Sequence, residues 1–399
     1  MNRKKISVTT ALMLLLLVAV TCVIITNFAA AERYDSELSY LQKMENKYTQ
    51  LKEITDIIEK NFVGEYDEEE AIDMMLAGYV DGLGDQWSGF YTAEQTERIN
   101  EYNANSYVGI GVTIKTNENG EYEVTAVNKN GPALKAGVAV KDIIIKVNGK
   151  PASEFETQDD LVAEVRGEAG TKVYLTFARE GGSYECEITR KKVYNESVTT
   201  KIVGDNIGYV MIDNFESNVD KEFIEKVNEL IDQGVKGLVF DVRFNGGGYV
   251  SVMKNMLDIL LPEGTVISMV NKAGKTTAYK SDAACIKLPM AVLTNEYSIS
   301  AAEFFAAALQ EYGVATVVGD KTGGKGYAQT LFNLKDGSSL NLSVYKYYTP
   351  KGISLVGKGV TPDIEISLSD EDFMNFYSLT VEQDTQLQAA IGAVAKMIG

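Results

Sequence analysis

At 399 residues the chain exceeds one ordinary domain, and 45% hydrophobic with 24% charged residues is the composition of folded material able to bury a core. A net charge of -18 repels phosphate backbones and argues against nucleic acid as a partner. Histidine is absent, which rules out a Ser-His-Asp triad, a Cys-His dyad and any His-ligated zinc, while Cys22, Cys186 and Cys285 have neither metal-site spacing nor the number for a disulfide framework.

The N-terminus begins with Arg3, Lys4 and Lys5, followed by an uncharged stretch from Val8 to Thr26. Nineteen helical residues span roughly 28 Å at 1.5 Å each, close to the hydrocarbon thickness of a bilayer. Residues 1–31 are therefore expected to be a membrane anchor or signal, with residues 8–26 in the membrane. The flanking cations orient the rest of the chain outside the cytoplasm. Ala29-Ala30-Ala31 offers small residues for cleavage, in which case the chain is secreted, but the length of the apolar run favours an anchor.

Residues 32–98 read as helical. Leu38, Leu41, Met44, Tyr48, Leu51, Ile54 and Ile58 recur at three- and four-residue steps, and a second helix is expected from Glu68 to Leu83. Residues 99–195 change to short alternating strands at Val108–Lys115, Tyr122–Val127, Ile143–Val147 and Val173–Phe177, broken by turns such as Asn119-Gly120 and Asn148-Gly149. Short helices are predicted at Pro132–Ala136 and Gln158–Val165. Residues 196–370 alternate strand and helix: Ile207–Ile212, Val219–Gln233, Gly237–Val242, Ala291–Thr294, Ala301–Glu311 and Ala315–Val318. Such alternation predicts an α/β layer architecture. Residues 371–399 end in an amphipathic helix, Asp384–Ile398, read as a C-terminal helical arm.

The chemistry-bearing residues fall in the α/β region. Ser300 stands where a buried strand gives way to a helix of small residues. Its spacing to Glu303 is that of a capping box, and the same position exposes a hydroxyl beside the free amides of a helix start. There the amide of Ala301 is placed to hold an oxyanion. Lys325 lies between glycines in Gly323-Gly324-Lys325-Gly326. A solvated lysine has a pKa of about 10.4 and is a poor base, but burial depresses it toward the useful range. Four residues on, Gln329 shares a face with Lys325 if the segment is a strand, and a neutral amide there would orient the amine. A phosphate loop does not fit, because Gly326 rather than Ser or Thr follows the lysine. Asp241 to Gly248 reads as a strand running into three glycines, either a tight turn or a source of a second oxyanion donor from Gly247.

Together these segments resemble the C-terminal processing peptidases, or tail-specific proteases, which use a Ser-Lys dyad. The likeness lies in the turn Asp241–Gly248, in Ser298, Ser300 and Glu303, in Lys325 standing 25 residues after Ser300, and in Gln329 four residues later. It continues through Tyr347–Gly352 and Gly359–Asp363, and upstream in Gly82-Leu83-Gly84-Asp85 with Tyr91-Thr92. Gly109–Val112, Gly131-Pro132-Ala133 and Val147-Asn148-Gly149 look like a PDZ domain. Gly246 departs from a frequent Pro, Val140-Lys141 from a frequent Pro-Gly, and Tyr297 from a small residue, which bears on the width of the substrate channel.

The resemblance implies an α/β protease core of the crotonase-like type at 196–370, an inserted strand-rich PDZ domain at 99–195, and helical N- and C-terminal arms, through which a homodimer is a possible assembly. It implies a serine endopeptidase with Ser300 as nucleophile, Lys325 as general base, Gln329 as orienting residue, and Ala301 and Gly247 as oxyanion donors. No cofactor or metal is implied. Substrates would be proteins or peptides with apolar C-termini. Their carboxylate would meet Gly109, Ile110, Gly111 and Val112, and the last side chain would enter a groove against Leu161 and Val165. Arg166, ending that helix, would either couple the groove to the core or cap the helix. Two other readings stay open: a catalytically silent membrane-anchored PDZ adaptor, and a Ser-Lys amidase of cell-wall peptides. Ser251-Val252-Met253-Lys254 and Lys321-Thr322-Gly323 match two signatures of the amidase class, while its Ser-Asp-Asn is missing.

Overall fold

Near-continuous apolar runs at Ile207–Ile212, Gly237–Asp241 and Met290–Thr294 are the mark of strands covered on both faces, and they form the centre of a six-stranded sheet. The computed structural model describes residues 8–399, so Arg3, Lys4 and Lys5, on which the membrane orientation was read, lie outside the described residues. The chain divides into residues 1–72 and residues 73–399.

In the first unit one helix of 54 residues runs Val8–Asn61. Every described side chain from Leu12 to Phe28 is exposed, and so are Leu38, Leu41, Tyr48, Ile54 and Ile58 of the predicted stripe. Among the described residues no helix is long and apolar enough to cross a membrane. The side chains of Val8, Thr10 and Ala11, inside the predicted span, lie outside the described set.

In the second unit the six-stranded sheet runs in the order Val198–Val203, Ile207–Ile212, Gly237–Asp241, Met290–Thr294, Ala315–Gly319, Ile364–Glu365. The first pair is antiparallel and the others parallel. Alternate side chains serve two cores. Val210, Ile212, Leu238, Phe240 and Val292 meet the helices Val219–Asp232, Val250–Asp258 and Ala301–Glu311. Phe215, Phe223, Phe240 and Phe305 interlock there, with ring centroids 5.6 to 6.4 Å apart. Burying each such ring contributes about 1.5–3 kcal/mol, which anchors the helix that begins after Ser300.

The other face packs Tyr209, Val239, Ala291, Leu293 and Val318 against Leu387, Ala390 and Val394 of the helix Thr385–Ile398. This corrects one expectation. The last helix is a covering layer of the core and not a free arm, because its apolar stripe is buried in the sheet.

A second sheet escaped the sequence reading. Its central strand, Ser339–Tyr348, pairs with Tyr327–Asn333, Gly264–Asn271 and Gly89–Tyr91, and Thr276–Ser281 lies at the edge. This pairing carries Asp85, Trp87 and Ser88 into the α/β region from far upstream in the chain.

The strand-rich module has its own core of Val124, Ile144, Val147, Leu161, Val173, Leu175, Phe177 and Ile188. A two-stranded ribbon, Ser106–Gly109 with Lys191–Tyr194, joins its ends. The single strand expected over 108–115 is two, Ser106–Gly109 and Val112–Thr116. Gly111 breaks it with φ of 83°, and a Cβ there would sit 2.9 Å from the Cα of Gly131. The helix Ala93–Asn103, with a Thr92–Gln95 capping box, starts inside the stretch read as helical and runs past its expected end at residue 98.

Candidate active site

The strand Met290–Thr294 ends in a turn that Asn295 and Ser298 hold shut. Ser298 Oγ donates to the carbonyl of Val242 (2.8 Å) and accepts from the amide of Asn295 (3.0 Å), while the Ile299 amide donates to the carbonyl of Asn245 (2.9 Å). The turn delivers Ser300 with φ of 58° and ψ of −119°. A left-handed φ on a non-glycine residue costs about 1–3 kcal/mol and persists only where its surroundings enforce it. Ser300 is nearly buried, at 9% exposure. The helix Ala301–Glu311 starts immediately after it, and the Ala301 amide donates to nothing among the described residues.

Of the predicted capping box, the carboxylate half is present and does more than cap. Glu303 is fully buried. Its Oε2 accepts from the amides of Ser300 and Lys325, both at 2.8 Å, and its Oε1 accepts from Thr322 Oγ1 and the Gly324 amide, both at 2.7 Å. Burial pushes the Glu303 carboxyl up, and these four donors work against that shift. One side chain thus binds the Ser300 turn to the lysine loop. Thr322 Oγ1 in turn accepts from the Val360 amide (2.7 Å), so residues near Gly359 are tied to the same centre.

The Lys325 amine is held low in pKa by burial, with the nearby Asp85 and Glu303 carboxylates pulling the other way. Its Nζ lies 4.4 Å from the centroid of the Trp87 ring. Among the described residues no hydrogen bond joins Lys325 Nζ to Ser300 Oγ. The two residues approach through their backbones and Glu303.

Gly247 lies against the Ser300 turn. Its φ is 100°, and a Cβ would fall 2.8 Å from both the Ile299 carbonyl oxygen and Ser300 Cβ, and 3.1 Å from the Ala301 nitrogen. Only glycine fits. The amide of Gly247, however, donates to Asn245 Oδ1 at 2.8 Å. The expected second oxyanion donor is therefore in the foreseen place with its hydrogen committed to a side chain. Beneath the turn, buried Arg243 bridges Asp241 (2.6 Å) and Asp384 (2.7 Å), and its Nη1 donates to Gln386. Tyr297 stacks on Phe244 at 5.6 Å and 13°, and both their amides donate to Asn295 Oδ1.

Among the described residues no hydrogen bond joins Gln329 to Lys325. Lys325 precedes the strand Tyr327–Asn333, so the period-two alternation that would put the two side chains on one face does not extend back to it. The Gln329 amide nitrogen instead donates to Ser343 Oγ (2.9 Å). Ser343 is linked in turn to the segment before the strand Gly89–Tyr91: its amide donates to Ser88 Oγ (3.0 Å), and Ser88 Oγ donates to Asp85 Oδ2 (2.6 Å). Burial pushes the Asp85 carboxyl up, but the Ser88 and Ser343 hydroxyls, the Trp87 amide and the Lys325 charge outweigh it and hold it below its ordinary value. Asp85 carried a sequence signal in Gly82–Asp85; Trp87, Ser88 and Ser343 carried none.

A separate cleft of about 510 Å³ is lined by Gly109, Ile110, Gly111, Val112, Leu161 and Val165, all six predicted groove residues, and by Arg98, Glu101 and Tyr102 of the helix Ala93–Asn103. The amides of Ile110 and Gly111 donate to nothing among the described residues. Arg166 lines the cleft and stands over the Tyr107 ring at 5.2 Å. Capping of the helix Gln158–Val165 falls to Arg190, which donates to the carbonyls of Val165 (2.9 Å) and Glu164 (2.9 Å).

Comparison with known proteins gives matches to Peptidase family S41 over residues 206–366 and to a PDZ domain over residues 123–179. A Staphylococcus aureus protein described as "Probable CtpA-like serine protease" is 33% identical over 355 residues, covering 88% of this chain and 68% of the relative. A photosystem II D1 C-terminal processing protease structure is 26% identical and covers 82% of this chain and 89% of its own, with a TM-score of 0.48. An S41-protease-type structure from Bacteroides fragilis is 17% identical over 84% of this chain and 93% of its own, with a TM-score of 0.51.

Proposed function

The chain belongs to peptidase family S41 and is a serine-type peptidase, and we propose that it is a membrane-anchored extracytoplasmic endopeptidase that cleaves proteins recognised by their C-terminal tails. In this reading the neutral Lys325 amine takes the Ser300 hydroxyl proton as Oγ attacks the scissile carbonyl. The Ala301 amide receives the developing oxyanion, and Lys325 gives the proton to the leaving amine. Water then repeats the sequence on the acyl-enzyme and restores Ser300. Gly247 shapes the pocket, and its amide becomes a second donor only by exchanging Asn245 Oδ1 for the oxyanion.

The observation that carries this reading is Glu303, which joins Ser300 and Lys325 through one carboxylate oxygen. The tail-recognition part rests on the cleft with its open amides at Ile110 and Gly111 and its apolar Leu161 and Val165. The uncharged exposed run Leu12–Phe28 after three cations supports the anchor and the extracytoplasmic placement. The sheet with its helical layers supports a core of the crotonase-like type. The exposed apolar side chains of Val8–Asn61 favour that helix as the dimer contact.

The test is a digestion of candidate protein substrates by the full chain in vesicles, followed by mass spectrometry of the new C-termini. New termini that appear with the wild type and are absent with Ser300→Ala support the reading. Equal cleavage by the two proteins overturns it.

A further inference from the structure

Lys325 is the one charged group that the site must keep neutral at rest and make cationic during reaction, and an aromatic face lies directly against it. Its Nζ sits 4.4 Å from the Trp87 centroid, well inside the roughly 6 Å over which a ring quadrupole attracts a cation. Trp87 is the only tryptophan in the chain. It is clamped from three sides. Its amide donates to Asp85 Oδ1 (3.3 Å), its carbonyl accepts from Asn341 Nδ2 (3.1 Å), and the next residues pair with the central strand as Gly89 with Asn341. The clamp fixes the main chain that carries the indole.

We propose that Trp87 is a positioning residue for the base, its indole face seating the Lys325 amine and then the ammonium formed when Ser300 gives up its proton. The proposal rests on the reading of Lys325 as base. The indole acts in two opposed ways. Its bulk keeps water from the amine, which favours the neutral form; its π face favours the cation without needing water to reorganise. The charged groups acting on Lys325 are Asp85, from the same segment as Trp87, and Glu303, from the helix after Ser300. Both favour the ammonium, so exclusion of water is what leaves a neutral amine available. A leucine would retain the exclusion and lose the face; an alanine would lose both.

The experiment compares pH profiles of kcat and KM for Trp87→Leu, Trp87→Phe and Trp87→Ala in the full chain. Trp87→Leu is expected to lower kcat about tenfold with KM within about twofold, and to move the alkaline-rising limb of kcat to lower pH. Trp87→Phe should recover most of the loss, and Trp87→Ala should move the limb to higher pH. A Trp87→Leu enzyme with the wild-type kcat and limb, or with a change in KM alone, overturns the proposal.

Should the variants fail to fold, the wild-type tryptophan is its own probe. In Ser300→Ala, Trp87 fluorescence should titrate at the midpoint of the wild-type kcat limb, and the titration should vanish in Ser300→Ala with Lys325→Met. No titration in the first, or its persistence in the second, overturns the proposal. The two readings separate cleanly: an active Lys325→Met enzyme removes the base and Trp87's role together. An inactive one with unresponsive Trp87 measurements removes only the role of Trp87.

Discussion

The amides of Ser300 and Lys325 donate to the same oxygen, Oε2 of Glu303, at the same 2.8 Å. The Ser300 turn and the Lys325 loop are therefore registered by one buried carboxylate, and the 24 residues between them are pinned at both ends. Glu303→Gln replaces one acceptor oxygen with a donor that faces two other donors. Each buried donor left without a partner costs about 1–3 kcal/mol. The expected result is a folded enzyme of lower melting temperature whose kcat falls at least tenfold, with a smaller change in KM. Differential scanning calorimetry and initial rates check it. A Glu303→Gln enzyme with wild-type kcat would show that the shared oxygen is only structural.

Lys325 is held below its ordinary pKa chiefly by burial, and this bears on both rate and stability. With the free amine as the proposed base, kcat should rise with pH through the folded-state pKa of Lys325. Lys325→Ala and Lys325→Arg should each abolish turnover, since a guanidinium stays protonated. The unfolded chain binds the lysine proton more tightly than the folded one. The cost of burying the amine is thus full below the folded pKa and fades as pH rises toward about 10.4. Lys325→Met should therefore melt higher than wild type at neutral pH, with the advantage shrinking as pH approaches that value. A Lys325→Met protein that melts lower than wild type at neutral pH would contradict the burial cost.

How far this centre was legible follows from where each contact comes from. Ser300, Ala301, Glu303 and Lys325 lie on two segments with strong local patterns, a buried strand running into a helix and a glycine-flanked lysine. Local pattern singled them out, and the resemblance, not spacing alone, gave them their expected roles. Trp87 and Ser88 reach Asn341 and Ser343 only because the strand Ser339–Tyr348 accepts partners from residues 89–91 and 327–333. Pairing across some 250 residues leaves no periodicity to read. Gln329 shares no strand with Lys325, because the strand begins only at Tyr327 and its alternation cannot be carried back through the glycine loop. The helix Thr385–Ile398 showed its stripe plainly, but a stripe does not say whether its cover is a sheet of the same chain or another copy. The parallel strands were the easiest elements, since burial on both faces leaves unbroken apolar runs.

Gly247 should be intolerant of a side chain. Its φ of 100° is unfavourable for any other residue, and a Cβ would meet the Ile299 carbonyl and Ser300 Cβ at 2.8 Å. Gly247→Ala is expected to cost about 1–2 kcal/mol in backbone conformation alone, and to move Ser300 from the Ala301 amide. Activity should drop by about a hundredfold or more, whereas Gly246→Ala, where a Cβ meets nothing within 4 Å, should cost little. Both are read from kcat/KM beside thermal melts. Equal effects of the two substitutions would mean that close approach to Ser300 is not what selects glycine at 247.

The proposed tail recognition at the cleft over Gly109–Val112 makes the sharpest demand on substrate chemistry. Ile110 and Gly111 present open amides at the head of a strand, and Leu161 and Val165 supply an apolar wall from the facing helix. In the proposed tail reading, a terminal carboxylate would satisfy the amides with charge-assisted hydrogen bonds, each worth about twice a neutral one, and a terminal apolar side chain would fill the wall. A carboxamide carries no charge and turns one acceptor into a donor that faces donors. Amidating the C-terminus of a good peptide should therefore weaken binding to the full-length Ser300→Ala protein about tenfold or more. Replacing the last apolar residue with Asp should do the same, because its charge would be buried against Leu161. Calorimetric titration with the free-acid, amidated and Asp-ended peptides provides the comparison. Equal affinities would leave this module as a domain that packs without reading tails. Arg166 supplies the internal control: its guanidinium stands over Tyr107 while Arg190 caps the helix. Arg166→Ala should leave the melting temperature nearly unchanged, and any loss of peptide binding then belongs to the groove itself.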